Sequence, residues 1–259
     1  MMVKRKNLWI ALLLVLALVT SGFQSPVLAA GLSNQGTISV IGSDVQNPLL
    51  TKTTVQYGDK ETALDALKMA VGDTNVELTN TSYGKMIKGI DGQEAKGTYY
   101  WAFYINGVAA QVGADSYNVQ AGDSLSFRYI DWTKPPQNTV SLKVVDGAKN
   151  TTNDLKGIAI IGQPTALQFL QVALGSDKVG LTETKYGKMI TSINGINAEG
   201  TNYWAFYING KMATIGADSY KLLPNDQISF QYESWQNTPG DTTTTENNSS
   251  AGGTISKAA

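Results

Sequence analysis

The chain carries one domain-sized pattern twice. Tyr83-Gly-Lys-Met-Ile-Lys-Gly-Ile-Asp-Gly92 returns as Tyr186-Gly-Lys-Met-Ile-Thr-Ser-Ile-Asn-Gly195. Tyr100-Trp-Ala-Phe-Tyr-Ile-Asn-Gly107 returns as Tyr203 to Gly210, and Gly113-Ala-Asp-Ser-Tyr117 returns as Gly216 to Tyr220. The offset is constant at 103 residues (Trp101 against Trp204), and no gap is needed from Thr62/Thr165 through Trp132/Trp235. About half of the aligned positions are identical. A period this long exceeds that of a solenoid repeat and matches one small domain. The chain therefore reads as two homologous domains, residues 36–132 and 139–235. Function belongs to a module used twice, or lies between its copies.

The ends differ from the repeats. Lys4-Arg5-Lys6 is followed by an apolar run from Leu8 to Val19, and then by Val27-Leu28-Ala29-Ala30. This is the order of a signal peptide, read here as residues 1–30, and the run is short for a membrane span. Export is expected, with no membrane attachment once the segment is cleaved. Residues 133–138 contain Pro135-Pro136, a stiff extended connector. Residues 236–259 are rich in Thr, Ser and Gly and carry too little apolar surface to offset ordering entropy, so they read as a disordered tail.

Composition narrows the function classes. The chain has no Cys and no His. Export permits disulfides, but there is nothing to form them. Zinc or copper sites built on His and Cys are excluded, as are Ser-His-Asp and Cys-His catalytic sets. No carboxylate pair is placed for acid–base work, and the Asp spacing is not that of an EF-hand. These observations point to a protein that is not an enzyme and has no metal site. Without Lys4, Arg5 and Lys6 the balance is 17 basic against 21 acidic residues, a net charge of −4. That disfavours nucleic acid, whose backbone needs a basic stripe. A secreted chain without cysteine suits the Gram-positive bacterial surface.

The repeats read as α+β: two small domains, each a mostly antiparallel sheet with one helix packed on it, in a β-grasp-like order. Alternation predicts opening strands at 37–41 and 139–144, and second strands at 53–57 and 157–161. Helices follow. Ala63, Leu64, Leu67, Ala70 and Val71 share one face, with Asp59 as cap and Gly72 as stop. Leu167, Leu170, Ala173 and Leu174 share the other, with Pro164 near the first turn and Gly175 as stop. Asn106-Gly107 and Asn209-Gly210 are type I′ hairpin signals, joining strand 101–105 to 108–112 in the first repeat. Asp91-Gly92 and Asn194-Gly195 mark an earlier turn, and last strands are expected at 124–129 and 227–232.

Site candidates come from the aromatic strand. Alternation puts Trp101, Phe103 and Ile105 on one face and Ala102, Tyr104 and Asn106 on the other. The Trp side reads as core under the helix. Tyr100 and Tyr104, with Tyr203 and Tyr207, are candidates for an exposed ligand platform, because a tyrosine joins an apolar ring to a polar tip. Tyr83 and Tyr186 are further candidates, although Tyr-Gly-Lys-Met-Ile also reads as a structural turn whose Gly serves positive φ or close backbone approach. Asp115, Asp218, Asp123 and Asp226 read as turn-closing residues.

Together these elements resemble a known family. Thr62-Ala-Leu-Asp-Ala-Leu-Lys68, the Tyr-Gly-Lys-Met-Ile, Tyr-Trp-Ala-Phe-Tyr-Ile-Asn-Gly and Gly-Ala-Asp-Ser-Tyr segments, and Gly122-Asp-Ser-Leu-Ser-Phe-Arg-Tyr129 are similar to DUF4430, the transcobalamin-like C-terminal family. The resemblance covers nearly all of the chain after its first segment, twice. It implies a secreted or surface protein that binds a small-molecule ligand, cobalamin or a related corrinoid, without a catalytic cofactor. In the vertebrate vitamin B12 carriers the similar domain closes over cobalamin against an α/α barrel, which this chain lacks. The rival reading is a structural or adhesive surface module that contacts cell wall, glycan or host protein.

Overall fold

The computed structural model describes residues 34–237 apart from Tyr83. The expected signal segment and all but the first residues of the expected tail lie outside the described residues, as does the Tyr83 candidate. The first repeat runs β1 (Gln35–Ile41), β2 (Leu50–Gln56), α1 (Ala63–Val71), β3 (Val76–Thr81), β4 (Gly84–Ile90), β5 (Gln93–Glu94), β6 (Tyr99–Ile105), β7 (Val108–Ala109) and β8 (Ser124–Asp131). The second follows the same order: β9 (Thr139–Val145), β10 (Thr151–Ala159), α2 (Ala166–Leu174), β11 (Val179–Thr184), β12 (Gly187–Ile193), β13 (Ile196–Asn197), β14 (Asn202–Ile208), β15 (Lys211–Met212) and β16 (Gln227–Ser234).

Each repeat builds one five-stranded and one three-stranded sheet. The larger sheets have the orders β2-β1-β8-β6-β7 and β10-β9-β16-β14-β15; the smaller are β3-β4-β5 and β11-β12-β13. In the second repeat β16 runs parallel to β9, and β10 and β14 flank that pair antiparallel. A last strand inserted beside the first is the β-grasp-like order, and the α+β expectation holds in both repeats. By contact the chain divides into two compact units. One extends to Ala95 and resumes over Gly113–Phe127; the other holds Lys96–Val112 and everything from Arg128 onward. Within the second unit, Val108 is fully buried in the same apolar cluster as Leu142 and Phe230, and Ile161 N–H donates to the Gly107 carbonyl at 2.8 Å.

The helices are nine residues each, too short to persist alone. Capping and burial hold them. Thr62 and Thr165 are the N-caps, and each forms a capping box. Gln168 N–H donates to Thr165 Oγ1 at 3.0 Å, while Thr165 N–H donates to Gln168 Oε1 at 2.8 Å. Asp59 is therefore not the cap; its carboxylate accepts from Asn34 Nδ2 at 2.6 Å. Pro164 lies near the first turn, as expected, immediately before the cap. Gly72 and Gly175 end the helices at φ 93° and 102°, as expected. Ala63, Leu64, Ala66 and Leu67 are buried on α1, and Ala166, Leu167, Phe169 and Leu170 on α2.

The hairpin turns carry the predicted I′ signature. Asn106 and Gly107 have φ 51° and 84°, and Asn209 and Gly210 have 52° and 78°. The strands after them are shorter than expected, two residues each. The second strand of the second repeat begins earlier, at Thr151, because the chain turns at Lys149 (φ 65°).

In the second repeat Trp204 lies at the core with Leu167, Phe169 and Phe230, and its Nε1–H donates to the Ile196 carbonyl at 3.0 Å. Trp204→Ala is expected to cost about 3–5 kcal/mol, since it leaves a cavity and strands that carbonyl. Thr165→Ala should cost only about 1 kcal/mol, the loss of one cap. Urea denaturation followed by tryptophan fluorescence and far-UV circular dichroism checks the order; equal losses would show that Trp204 is not a core residue.

Candidate functional site

The repeated motifs converge on one loop. Gly216-Ala-Asp-Ser-Tyr220 receives the start of α2: Leu167 N–H donates to Ala217 O at 2.8 Å and Ala166 N–H to Tyr220 O at 3.0 Å. Asp218 Oδ2 accepts Lys188 N–H at 2.8 Å, thirty residues away in the Tyr-Gly-Lys segment. Tyr220 Oη donates to Asp226 Oδ2 at 2.8 Å, which also accepts Leu223 N–H at 2.9 Å, while Asn209 Nδ2 donates to Asp226 Oδ1 at 2.9 Å. The first repeat repeats the pattern. Lys85 N–H donates to Asp115 at 2.8 Å, and Tyr117 Oη to Asp123 at 2.7 Å. Asp123 and Asp226 are buried.

This corrects the reading of Asp115 and Asp218 as local turn closers: each ties its loop to a distant strand. It also explains Gly84 and Gly187, at φ 108° and 109°. A Cβ at Gly84 would stand 2.9 Å from Asp115 Oδ2, and one at Gly187 would collide with Asp218 Oδ2. Positive φ and close approach both apply.

The tyrosine candidates sort differently from expectation. The β14–β16 register pairs Tyr203 with Glu233, Ala205 with Gln231 and Tyr207 with Ser229. These six lie on the sheet face away from the core cluster of Trp204, Phe206, Ile208, Ile228 and Phe230. Tyr203 and Tyr207 are half-buried there, and Tyr207 Oη donates to Glu233 Oε2 at 2.9 Å. One register row crosses the whole sheet, from Asp154 through Lys143, Ser229 and Tyr207 to Met212. Beside it Ser141, Lys143, Asp154, Lys156, Gln227 and Ser229 line an open groove of about 460 Å³.

In the first repeat Tyr100 is 40% exposed, but Tyr104 is only 5% exposed. Tyr104 is therefore not part of an open platform. Tyr186 is 83% exposed, with the Lys185 ammonium 4.8 Å above its ring. The structure thus brings Tyr203 and Tyr207 together on one face and leaves Tyr186 apart from them. Residues that motif reading passed over complete these faces: Lys143, Ser229 and Glu233 in the second repeat, and Arg128 in the first. The 103-residue offset carries a signal for two of them, because Arg128 aligns with Gln231 and Ile130 with Glu233.

Several phenols titrate far from the ordinary range. Burial, reinforced by the Asp123 charge, pushes Tyr57 up to about 12. Burial and the bond to Glu233 push Tyr207 up to about 12, and burial and the bond to Asp226 do the same for Tyr220. Burial, with the Asp123 charge and hydrogen bond, raises Tyr117 further still. Burial also raises Tyr104, with Tyr100 adding and Arg128 opposing. Among the described residues no three His, Cys, Asp or Glu side chains come together as a metal site would require. No helix among them is long and apolar enough to cross a membrane.

Comparison with known proteins places the chain. The family described as "Domain of unknown function (DUF4430)" matches residues 60–131 and 165–234. The chain belongs to this family, with two tandem copies. Among solved structures it is similar to a putative metal binding protein from Ruminococcus gnavus, at 16% identity and a TM-score of 0.32, over 38% of this chain and 97% of that one. It is also similar to haptocorrin in complex with Cbi, at 20% identity and a TM-score of 0.32, over 38% of this chain and 26% of that one. The match therefore spans about a quarter of the haptocorrin chain. No curated protein matches the chain significantly.

Tyr104→Ala is now expected to cost about 3–5 kcal/mol, as for other buried aromatics, and Tyr100→Ala under about 1 kcal/mol. Urea midpoints compare them, and a Tyr104→Ala protein as stable as wild type would contradict the burial. A second expectation concerns alkali. Tyr57, Tyr207 and Tyr220 have folded-state pKa values raised from 10.0 to about 12. The folded state holds these protons more tightly than the unfolded one. Their stabilising contribution is complete below pH 10 and is lost as pH rises through about 12. Phenolate absorbance and near-UV circular dichroism should change together in that window; free-tyrosine titration with the fold intact would refute it.

Proposed function

We propose that this chain is an extracellular, non-enzymatic binding protein made of two modules, residues 36–132 and 139–235, with cobalamin or a related corrinoid as the ligand class. The observation that carries the binding reading is the helix-free face of the second large sheet. There Tyr203 and Tyr207 stand beside Ser229, Gln231, Glu233 and Lys143, next to an open groove. Rings with polar tips, flanked by donors and acceptors, are what a ligand with both apolar and polar surface requires. Family membership supports the corrinoid class through the resemblance stated above, and the basic-then-apolar N-terminal sequence supports export.

Equilibrium titration of the full chain with cobalamin, cobinamide and a non-corrinoid control tests this, alongside a small-molecule thermal-shift screen. Tyr203→Ala is expected to weaken binding about tenfold, equivalent to about 1.4 kcal/mol, with little change in melting. No heat or spectral change at high micromolar protein would remove the corrinoid class. Contact with cell wall, glycan or host protein is the second reading. It is favoured by the openness of the groove, since an extended chain lies along an open sheet face without needing enclosure. Retention on whole cell walls, with no small-molecule response, would select it.

A further inference from the structure

Arg128 is the only arginine after residue 5. It sits half-buried in β8, beside β6 in the first large sheet. Among the described residues it has no ion-pair or hydrogen-bond partner. Lys68, Lys88 and Lys178, by contrast, each sit 2.7–3.0 Å from a carboxylate. A guanidinium carries five donors in a planar fork, and partial burial makes leaving them unpaired costly.

On this face of the aromatic strand its neighbours are Ala102 and two neutral phenols, with no carboxylate among them. The repeat offset places Arg128 opposite Ala102, as Gln231 stands opposite Ala205, with Tyr100 and Tyr104 on either side. Tyr104 has its ring buried and makes no hydrogen bond. No fully buried side-chain oxygen among the described residues lacks a partner, so the Tyr104 hydroxyl opens on solvent. Tyr100 is likewise unpaired, and its ring is partly exposed. In the second repeat the equivalent hydroxyl, Tyr207 Oη, is taken by Glu233. The first repeat has Ile130 at that position, so its tyrosine is released. Asp131 falls on the other side of β8 by alternation, and its carboxylate accepts from Thr133. Ser126 is already engaged, accepting from Ser39 Oγ at 3.1 Å. A cationic fork flanked by two free hydroxyls, with no acceptor committed to them, is complementary to an oxyanion.

We infer that the outer face of β6 and β8 is an oxyanion-binding site. Arg128 takes a carboxylate or phosphate group through its guanidinium fork, and Tyr104 and Tyr100 donate their hydroxyls to the same group. The partly exposed Tyr100 ring lies beside whatever apolar body carries that group. The inference rests on the reading of the sheet faces as binding surfaces, and it gives the first repeat a ligand chemistry distinct from that of the second.

The test follows the side-chain Nε–Hε signal of Arg128 in the ¹⁵N-labelled full chain, titrated separately with inorganic phosphate and with benzoate. Saturable shifts are expected with at least one of them, and the arm that saturates at lower concentration identifies the oxyanion. Arg128→Gln places the residue of the second repeat at this position, so it should keep the fold; it is expected to weaken the binding at least about tenfold. Tyr104→Phe removes only the hydroxyl and should weaken binding several-fold with the melting curve unchanged. Shifts that stay linear in both titrations, or binding that survives Arg128→Gln, would overturn the site. If that happens while the Tyr203-dependent ligand response persists, the binding function stands and only this site falls.

Discussion

Asp226 is sealed from solvent, and three groups converge on its carboxylate: the Tyr220 hydroxyl, the Leu223 N–H and the Asn209 side-chain amide. A buried carboxylate is tolerated only when its oxygens are satisfied in this way. The consequence is geometric. Tyr220 belongs to the loop that receives the helix, Asn209 to the hairpin turn, and Asp226 to the entry of the last strand. Fixing one oxygen pair fixes the relation between helix, hairpin and central strand. Asp218 extends the network to β12 through the Lys188 N–H. Removing Asp226 would take the acceptor from a half-buried phenol, a backbone N–H and an amide together, so the network fails as a unit.

The motifs most alike in the two repeats are thus the ones that make this network. On the outer faces of the sheets the tyrosines and Ser126/Ser229 recur, but the residues beside them have diverged. Ser39 faces Ser126 where Lys143 faces Ser229. Arg128 and Ile130 align with Gln231 and Glu233. One face presents a free guanidinium and free hydroxyls; the other presents a tyrosine already bonded to a carboxylate. The helix and the network supply a common scaffold, and the faces opposite the helix supply different chemistry.

Much of this was legible without coordinates. The stop glycines, the Asn-Gly turns and the inward Trp-Phe-Ile face all follow from local rules of backbone conformation and two-residue alternation, and two diverged copies show the same signals. The capping box was also readable, as Thr62 with Asp65 and Thr165 with Gln168, but in the first repeat Asp59 offered a competing local signal. What escaped was anything decided by a strand distant in sequence. Asp218 reads as a turn residue until β12 comes beside it. Tyr104 and Tyr207 have the same sequence neighbours, yet one is buried with an open hydroxyl and the other is bonded to Glu233.

The sequence by itself determined two copies of an α+β module, their helix limits, their turn types, and the exclusion of His- and Cys-based chemistry. Those properties depend on residue type and on spacings of two to four positions. Tertiary structure alone decided which tyrosines meet solvent and what stands beside Arg128. Arg128 and Tyr104 are more than twenty residues apart in the chain, and only the insertion of the last strand beside the aromatic one brings them onto a shared face. Hydrogen bonding and burial at such a face depend on the neighbouring strand, which no local pattern in either segment records.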